Sequence, residues 1–309
     1  MRGGVAKRSV AWGEPKAFMQ TKYFVQLVGL SALWGSSFML TRIAVPTLGP
    51  NLVAGLRMAM ATLVLAIFMR AARQPWPLAQ WREMLLLGAL AVAGPHFFYS
   101  WSALELPAAY GALLSVTAVL FGAFASATMK EEALTPVKMA GCLMGFGGAA
   151  LVVQLGPINP TPLLVLSAVG CVAGASLSGT STPFLKRATT RLEPLAITAG
   201  MHAAGAVLLL PGALYDLPRA QFTLSALAGV LVMGTMTSGM AYWMYMRIMR
   251  HVPPVAALSS TFLVTGFGVL FSILFLGEAT GPGLYAGGAL IVLASMVVMG
   301  FNPLRRRPA

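Results

Sequence analysis

Arg57 is the residue of this 309-residue chain whose type and surroundings point most directly to chemistry. It stands in the apolar stretch PNLVAGLRMAMA, seven residues beyond Pro50, which on a helix is about 10 Å of rise. A guanidinium at the centre of a membrane helix costs about 2.5–3.5 kcal/mol on insertion scales, so its retention asks for a reason. Three readings stay open: a partner for a carboxylate or phosphate or for the carbonyls at a helix end, a side chain snorkelling to the interface, or a structural hydrogen-bond anchor. His96 and His202 also fall within apolar stretches, where an imidazole serves either as a protonatable group or as a neutral hydrogen-bonding bridge between helices. No Asp or Glu lies mid-stretch. Proton coupling, if present, then falls to His96, His202, Glu132 or Glu278, the two glutamates standing at segment ends.

Aromatic and hydroxyl residues complete the candidate set. Trp34, Tyr99 and Trp243 are candidates for a cavity wall, and Trp76 and Trp101 for an interfacial belt. Ser36 and Ser37, with Ser178 in the small, polar run GASLSGTS (174–181), offer hydroxyls to a wet cavity, and Pro183 frees backbone groups beside that run. The cavity candidates are thus Trp34, Ser36, Ser37, Arg57, His96, Tyr99, Ser178, His202 and Trp243. The histidines are far apart and lack a third partner, and Cys142 and Cys171 have no metal-type spacing, so neither a metal nor another cofactor is expected. The absence of DxxxD, HExxH and GxSxG leaves no catalytic residue to name, and the absence of GxxxxGK[ST] argues against ATP-driven work by this chain.

The elements that must position these residues are membrane helices. Hydrophobic residues make up 58% and charged residues 9%, too few to cover a soluble surface. The apolar residues run continuously rather than alternating, which excludes a β-barrel. Ten spans are predicted, at about 24–41, 51–69, 84–103, 108–128, 137–154, 163–184, 194–214, 223–245, 255–275 and 283–301. Basic residues alternate across the joins. One side collects eighteen, the other holds only Arg42 and Arg219, and Arg57 completes the 21. By the positive-inside rule both termini are cytoplasmic. The net charge of +13 is therefore a topology signal, and nucleic-acid binding is not expected.

The chain also repeats itself. A shift of 146 residues carries Gly88 onto Gly234, Tyr99 onto Tyr245, Pro107 onto Pro253, Phe121-Gly122 onto Phe267-Gly268, Glu132 onto Glu278 and Pro136 onto Pro282. A shift of 144 carries Gly35 onto Gly179 and Pro50 onto Pro194. Two copies of five spans, an odd number, enter the membrane in opposite senses. The fold class is an all-α polytopic membrane protein of ten helices in two inverted five-helix repeats, 24–154 and 163–301, between basic cytoplasmic tails at 1–23 and 302–309.

The segments SALWGSSFMLTRIA (31–44), GPNLVAGLRMAMA (49–61), LPAAYGALLSVTAVLFGAFASATMKEEALTPVKMAGCLMGFGGAALVV (106–153) and VPPVAALSSTFLVTGFGVLFSILFLGEATGPGLYAGGALIVLASMVV (252–298) resemble the drug/metabolite transporter superfamily, EamA type. The second half carries Leu276-Gly277-Glu278, while the first half has Lys130-Glu131-Glu132 in its place, keeping the glutamate and changing its neighbours. The resemblance implies a secondary transporter of a bacterial inner membrane that exports small metabolites such as amino acids by alternating access. In that family spans one, three, four, six, eight and nine line the cavity. It implies a small-molecule substrate, a surrounding bilayer and a homodimer as an admissible assembly. Nucleotide-sugar and drug carriers belong to the same superfamily, and an intramembrane lipid-modifying enzyme is the alternative from another class.

Overall fold

In the computed structural model, residues 21–129, 135–154, 161–251, 260–279 and 281–298 are described, and the chain there is helical with connecting turns. Both tails, Lys130, Glu131 and Glu132, and the Pro253-Pro254 pair lie outside the described residues. Among the described residues seven helical stretches are long and apolar enough to cross a membrane: Val25–Leu48, Pro50–Ala71, Leu78–Ser102, Ala108–Thr128, Pro162–Thr189, Pro194–Arg219 and Leu224–Arg250. Leu224 and Leu274, 85% and 65% exposed, belong to an outer surface of bare aliphatic side chains that suits lipid rather than water.

The helices are α1 (Thr21–Leu48), α2 (Pro50–Ala71), α3 (Trp81–Leu87), α4 (Gly94–Ser102), α5 (Ala108–Ser115), α6 (Ala118–Thr128), α7 (Pro136–Gln154), α8 (Pro162–Thr189), α9 (Pro194–Asp216), α10 (Leu224–Val232), α11 (Ala241–His251), α12 (Ser260–Leu276) and α13 (Pro282–Val298). Several begin with proline, whose missing N–H costs nothing at a first turn and whose fixed φ suits the helix. Two stretches are interrupted by wider, π-helical turns: Gly88–Ala93 joins α3 to α4, and Met233–Met240 joins α10 to α11. Each releases backbone groups from the regular ladder. Gly88 and Gly234, matched by the 146-residue shift, stand at these turns and let them press against α9 and α2 respectively.

The main pairings are α2 with α9, α7 with α13, α1 with α12 and α6 with α8. Small residues make the last two close. A Cβ on Gly35 would lie 2.7 Å from Phe267 Cβ and 2.8 Å from the Gly268 nitrogen. A Cβ on Gly179 would lie 2.8 Å from the Gly122 nitrogen and collide with the Ala118 carbonyl. Gly179→Ala therefore forces α6 and α8 apart. We expect a loss of about 1–3 kcal/mol, read as a lower midpoint in detergent unfolding, whereas Gly147→Ala, where a Cβ would meet nothing within 4 Å and alanine is the better helix former, does not lower it.

Two helix starts are capped from far along the chain. Gly49 turns α1 into α2 at φ 82°, which favours glycine, and offers no side chain to the first N–H groups of α2. Asp216 does so instead, accepting from the Asn51 nitrogen at 2.8 Å, the Leu52 nitrogen at 3.3 Å and the Asn51 amide at 3.2 Å. Pro107 likewise offers α5 no cap. Glu278 accepts from the Ala108 and Ala109 nitrogens at 2.8 and 3.1 Å and from the Ser272 hydroxyl.

Candidate functional site

A cavity of about 190 Å³ lies between α1, α2, α4, α5, α8, α11 and α12. Arg57 reaches it from α2. The residue is 6% exposed, and its guanidinium is held by hydroxyls from α1 and the second π-helical turn. Nε donates to Ser238 Oγ at 2.6 Å, and Nη2 donates to Thr237 Oγ1 at 2.9 Å and Ser37 Oγ at 3.3 Å. Among the described residues Nη1 meets only the Met233 thioether, at 3.8 Å. Thr237 Oγ1 sends its own proton to the Met233 carbonyl at 2.7 Å, which leaves its lone pairs for the arginine. Among the described residues no carboxylate lies within ion-pair distance of Arg57. The charge is thus solvated by neutral oxygens and not neutralised, a state that favours an incoming anion.

The aromatic wall is fixed by the same turn. Trp34 donates from Nε1 to the Thr237 carbonyl at 2.9 Å, so Thr237 anchors the arginine with its hydroxyl and the indole with its backbone. Tyr242 and Tyr245, three residues apart on α11, face the cavity together. The Trp34 ring stands 5.8 Å from Tyr242 and 5.0 Å from Tyr245, both edge to face. Tyr242 is pinned by its hydroxyl to the Ala91 carbonyl at 3.3 Å and by the His202 ring at 5.3 Å. On α4, His96 and Tyr99 are ring neighbours at 6.4 Å, and Tyr99 packs on Phe38 at 5.8 Å. Past Tyr99, Arg42 donates from Nη1 to the Ala103 and Leu104 carbonyls at 2.5 and 2.7 Å, tying α1 to the C-terminus of α4 beside the cavity.

Of the residues singled out from the sequence, Trp34, Ser37, Arg57, His96, Tyr99 and Ser178 meet on this wall. Ser36 does not; its hydroxyl turns back to the Leu33 carbonyl at 2.8 Å. His202 is buried behind Tyr242, with Nδ1 2.8 Å from the Thr198 carbonyl and no hydrogen-bond partner for Nε2. Trp243 points away, its ring 5.3 Å from Phe68 and under the Arg247 guanidinium at 5.4 Å. Glu278 sits at the α5 N-terminus rather than on the wall, and Glu132 lies outside the described residues. Thr237 and Ser238, the principal partners of Arg57, carry no sequence signal beyond being hydroxyls in an apolar stretch. Tyr245 had one: it stands one turn from Tyr242, while Trp243 stands four residues before Arg247, the spacing of a cation–π pair on an outer face. Since Trp243 is off the wall, Trp243→Leu is expected to lower thermal stability through lost contact with Phe68 while leaving the half-saturation constant of any solute flux within twofold; a tenfold shift would contradict that placement.

Among the described residues no group of three His, Cys, Asp or Glu stands together in the manner of a metal site. The described wall combines a buried guanidinium, a row of hydroxyls and an aromatic corner, the mix of apolar lining and few placed polar groups that small-molecule sites use.

The EamA-like transporter family model matches residues 22–154 and again 165–300. The chain is 26% identical over 287 residues to a probable terminal-alkyne amino-acid exporter of Streptantibioticus cattleyicolor, covering 89% of this chain and 93% of that protein. It is 27% identical over 304 residues to an S-adenosylmethionine/S-adenosylhomocysteine transporter of Chlamydia trachomatis, covering 88% of each. A solved crystal structure with 22% identity superposes with a TM-score of 0.65 over 90% of this chain and 96% of its own.

Proposed function

The chain belongs to the EamA-like transporter family, and from that premise we propose that it is a secondary transporter exporting small carboxylate-bearing metabolites such as amino acids, by alternating access across a bacterial inner membrane. A multi-pass membrane transporter is the coarse identity its family carries. The observation that carries the finer reading is Arg57, buried at the cavity wall with only hydroxyl and thioether partners. A substrate carboxylate would meet Nη1, the least satisfied nitrogen, and displace Ser37, the longest of the three hydroxyl contacts, from Nη2. An end-on, two-point pair of that kind fixes orientation as well as charge.

A relative's name supports the same class: the S. cattleyicolor protein is named for amino-acid export.

The architecture proposed is ten spans, with α7, α12 and α13 joining the seven longer stretches, in two inverted repeats, 24–154 and 163–301. The pairing pattern supports it. Exchanging each span for its counterpart five along carries α1 on α12 into α8 on α6, and maps α2 on α9 and α7 on α13 onto themselves. Gly35 on Gly268 becomes Gly179 on Gly122, and the Gly88 turn on α9 becomes the Gly234 turn on α2. Both basic tails would face the cytoplasm. The coupling groups of this reading are His96 on the wall, His202 behind it, and Glu132 and Glu278 at the span ends.

The test is counterflow in proteoliposomes loaded with pooled amino acids, nucleosides and sugars, followed by mass spectrometry with and without a pH gradient. Exchange of amino acids is the expected result, and a gradient that accelerates it would assign proton coupling. Exchange confined to nucleosides, or none from folded protein, would overturn the reading.

A further inference from the structure

The cavity has an answer to a carboxylate in Arg57 but, among the described residues, no Asp or Glu on its wall to meet a positive charge. What the wall does present beside Arg57 is the corner of Trp34, Tyr242 and Tyr245. The three rings stand 5.0–6.3 Å apart at interplanar angles of 62°, 68° and 79°, and each keeps part of its surface toward the cavity. The corner is preorganised: Trp34 is tied to the Thr237 carbonyl, and Tyr242 to the Ala91 carbonyl. Because Thr237 holds the indole and the guanidinium at once, the anion-binding nitrogens and the ring faces are neighbours. A zwitterion offers its two charges to two such neighbouring groups at once.

We infer that Trp34, Tyr242 and Tyr245 form a cation subsite, so that the cavity takes zwitterions whose positive end is an alkylated onium as well as those with a primary ammonium. This rests on the transporter reading and on Arg57 as its anion site. The physical reason is the difference between the two cations. A primary ammonium has three N–H donors, each needing an acceptor when buried. An alkylated onium has none and is attracted to a ring face by the quadrupole alone. Wall hydroxyls such as Ser115 and Ser181 spend their protons on carbonyls of their own helices and keep lone pairs that accept from a primary ammonium, whereas the negative ring faces turned to the cavity serve an onium that has no proton to donate.

Three probes of matched shape test it on the full-length protein in nanodiscs, by equilibrium binding. Glycine betaine carries a carboxylate and a trimethylammonium. Valine is its isomer with a primary ammonium. The 3,3-dimethylbutanoate ion has the shape of betaine with a neutral carbon in place of nitrogen. The expected result is that betaine binds no more weakly than valine and roughly tenfold or more tightly than 3,3-dimethylbutanoate, a desolvated cation–π gain. Tyr245→Leu should erase that preference, and Tyr245→Phe, which keeps the ring, should retain it. Equal binding of betaine and 3,3-dimethylbutanoate, or binding of valine without betaine, overturns the cation subsite and leaves Arg57 standing as a carboxylate site. Failure of all three to bind overturns the carboxylate reading itself and this inference with it.

Discussion

Arg57→Ala is expected to reduce counterflow of carboxylate substrates at least a hundredfold while leaving the protein folded. Removing the guanidinium deletes the cation that the described residues place on the cavity wall, and with it the two-point contact proposed for the substrate. Hydrogen bonds to charged groups contribute about 1.5–3 kcal/mol each, and the anion would make two of them in a site shielded from water. The fold should tolerate the loss. The insertion cost of about 2.5–3.5 kcal/mol for a central charge disappears and offsets the lost contacts to Ser37, Thr237 and Ser238. Arg57→Lys is nearly as inactive, since a single ammonium cannot hold Ser238 and Thr237 and still present two parallel donors. The checks are initial exchange rate in proteoliposomes and unfolding midpoint in detergent. A folded Arg57→Ala protein transporting at the normal rate would remove the arginine from the site, and an unfolded one would make it a structural anchor.

Glu278→Ala should have the largest effect on stability. The carboxylate holds the first two amides of α5 and the Ser272 hydroxyl, while Pro107 supplies no local alternative. Its removal strands the first two amides of α5, both on buried residues. We expect a loss of about 3 kcal/mol, from two charge-assisted bonds at about 1.5 kcal/mol or more each. Glu278→Gln should recover part of it, because the amide keeps one acceptor. The same pair of variants separates the cap from proton coupling. A midpoint that hardly moves, together with exchange that no longer responds to a pH gradient, would make Glu278 a coupling group.

These contacts mark where the sequence was legible. Helix positions follow from hydropathy: the stretch expected at 194–214 is Pro194–Asp216, and that at 108–128 is α5 followed by α6. Prolines and the alternation of basic residues punctuate them because both act locally, on one turn or one loop. The π-helical turns at Gly88–Ala93 and Met233–Met240 escape such a reading, since one extra residue in a turn leaves mean hydropathy unchanged. Their consequence is large. The second one presents Thr237 and Ser238 to Arg57, and Tyr242 and Tyr245 follow it on the wall in place of Trp243. Caps in trans are equally hidden. Asp216 and Glu278 read as span-end carboxylates, and what they bind is decided 165 and 170 residues away along the chain. Arg57 and His96, whose chemistry is unusual for lipid, meet on the wall with Trp34, Ser37, Tyr99 and Ser178, while His202 lies behind it. Those that lie off it, such as Ser36 and Trp243, differ from cavity residues only in helical phase.

A substrate that passes through the cavity at Arg57 must pass any reporter placed on the same wall. Ser178 lines that cavity on α8, across from the arginine's helix, and its hydroxyl offers a single position for a reporter. In a Cys142→Ala, Cys171→Ala background, Ser178→Cys would be treated with N-ethylmaleimide in proteoliposomes while exchange is followed. Alkylation is expected to stop exchange, and the transported amino acid to slow the alkylation in proportion to its occupancy. Complete alkylation with undiminished exchange would contradict it.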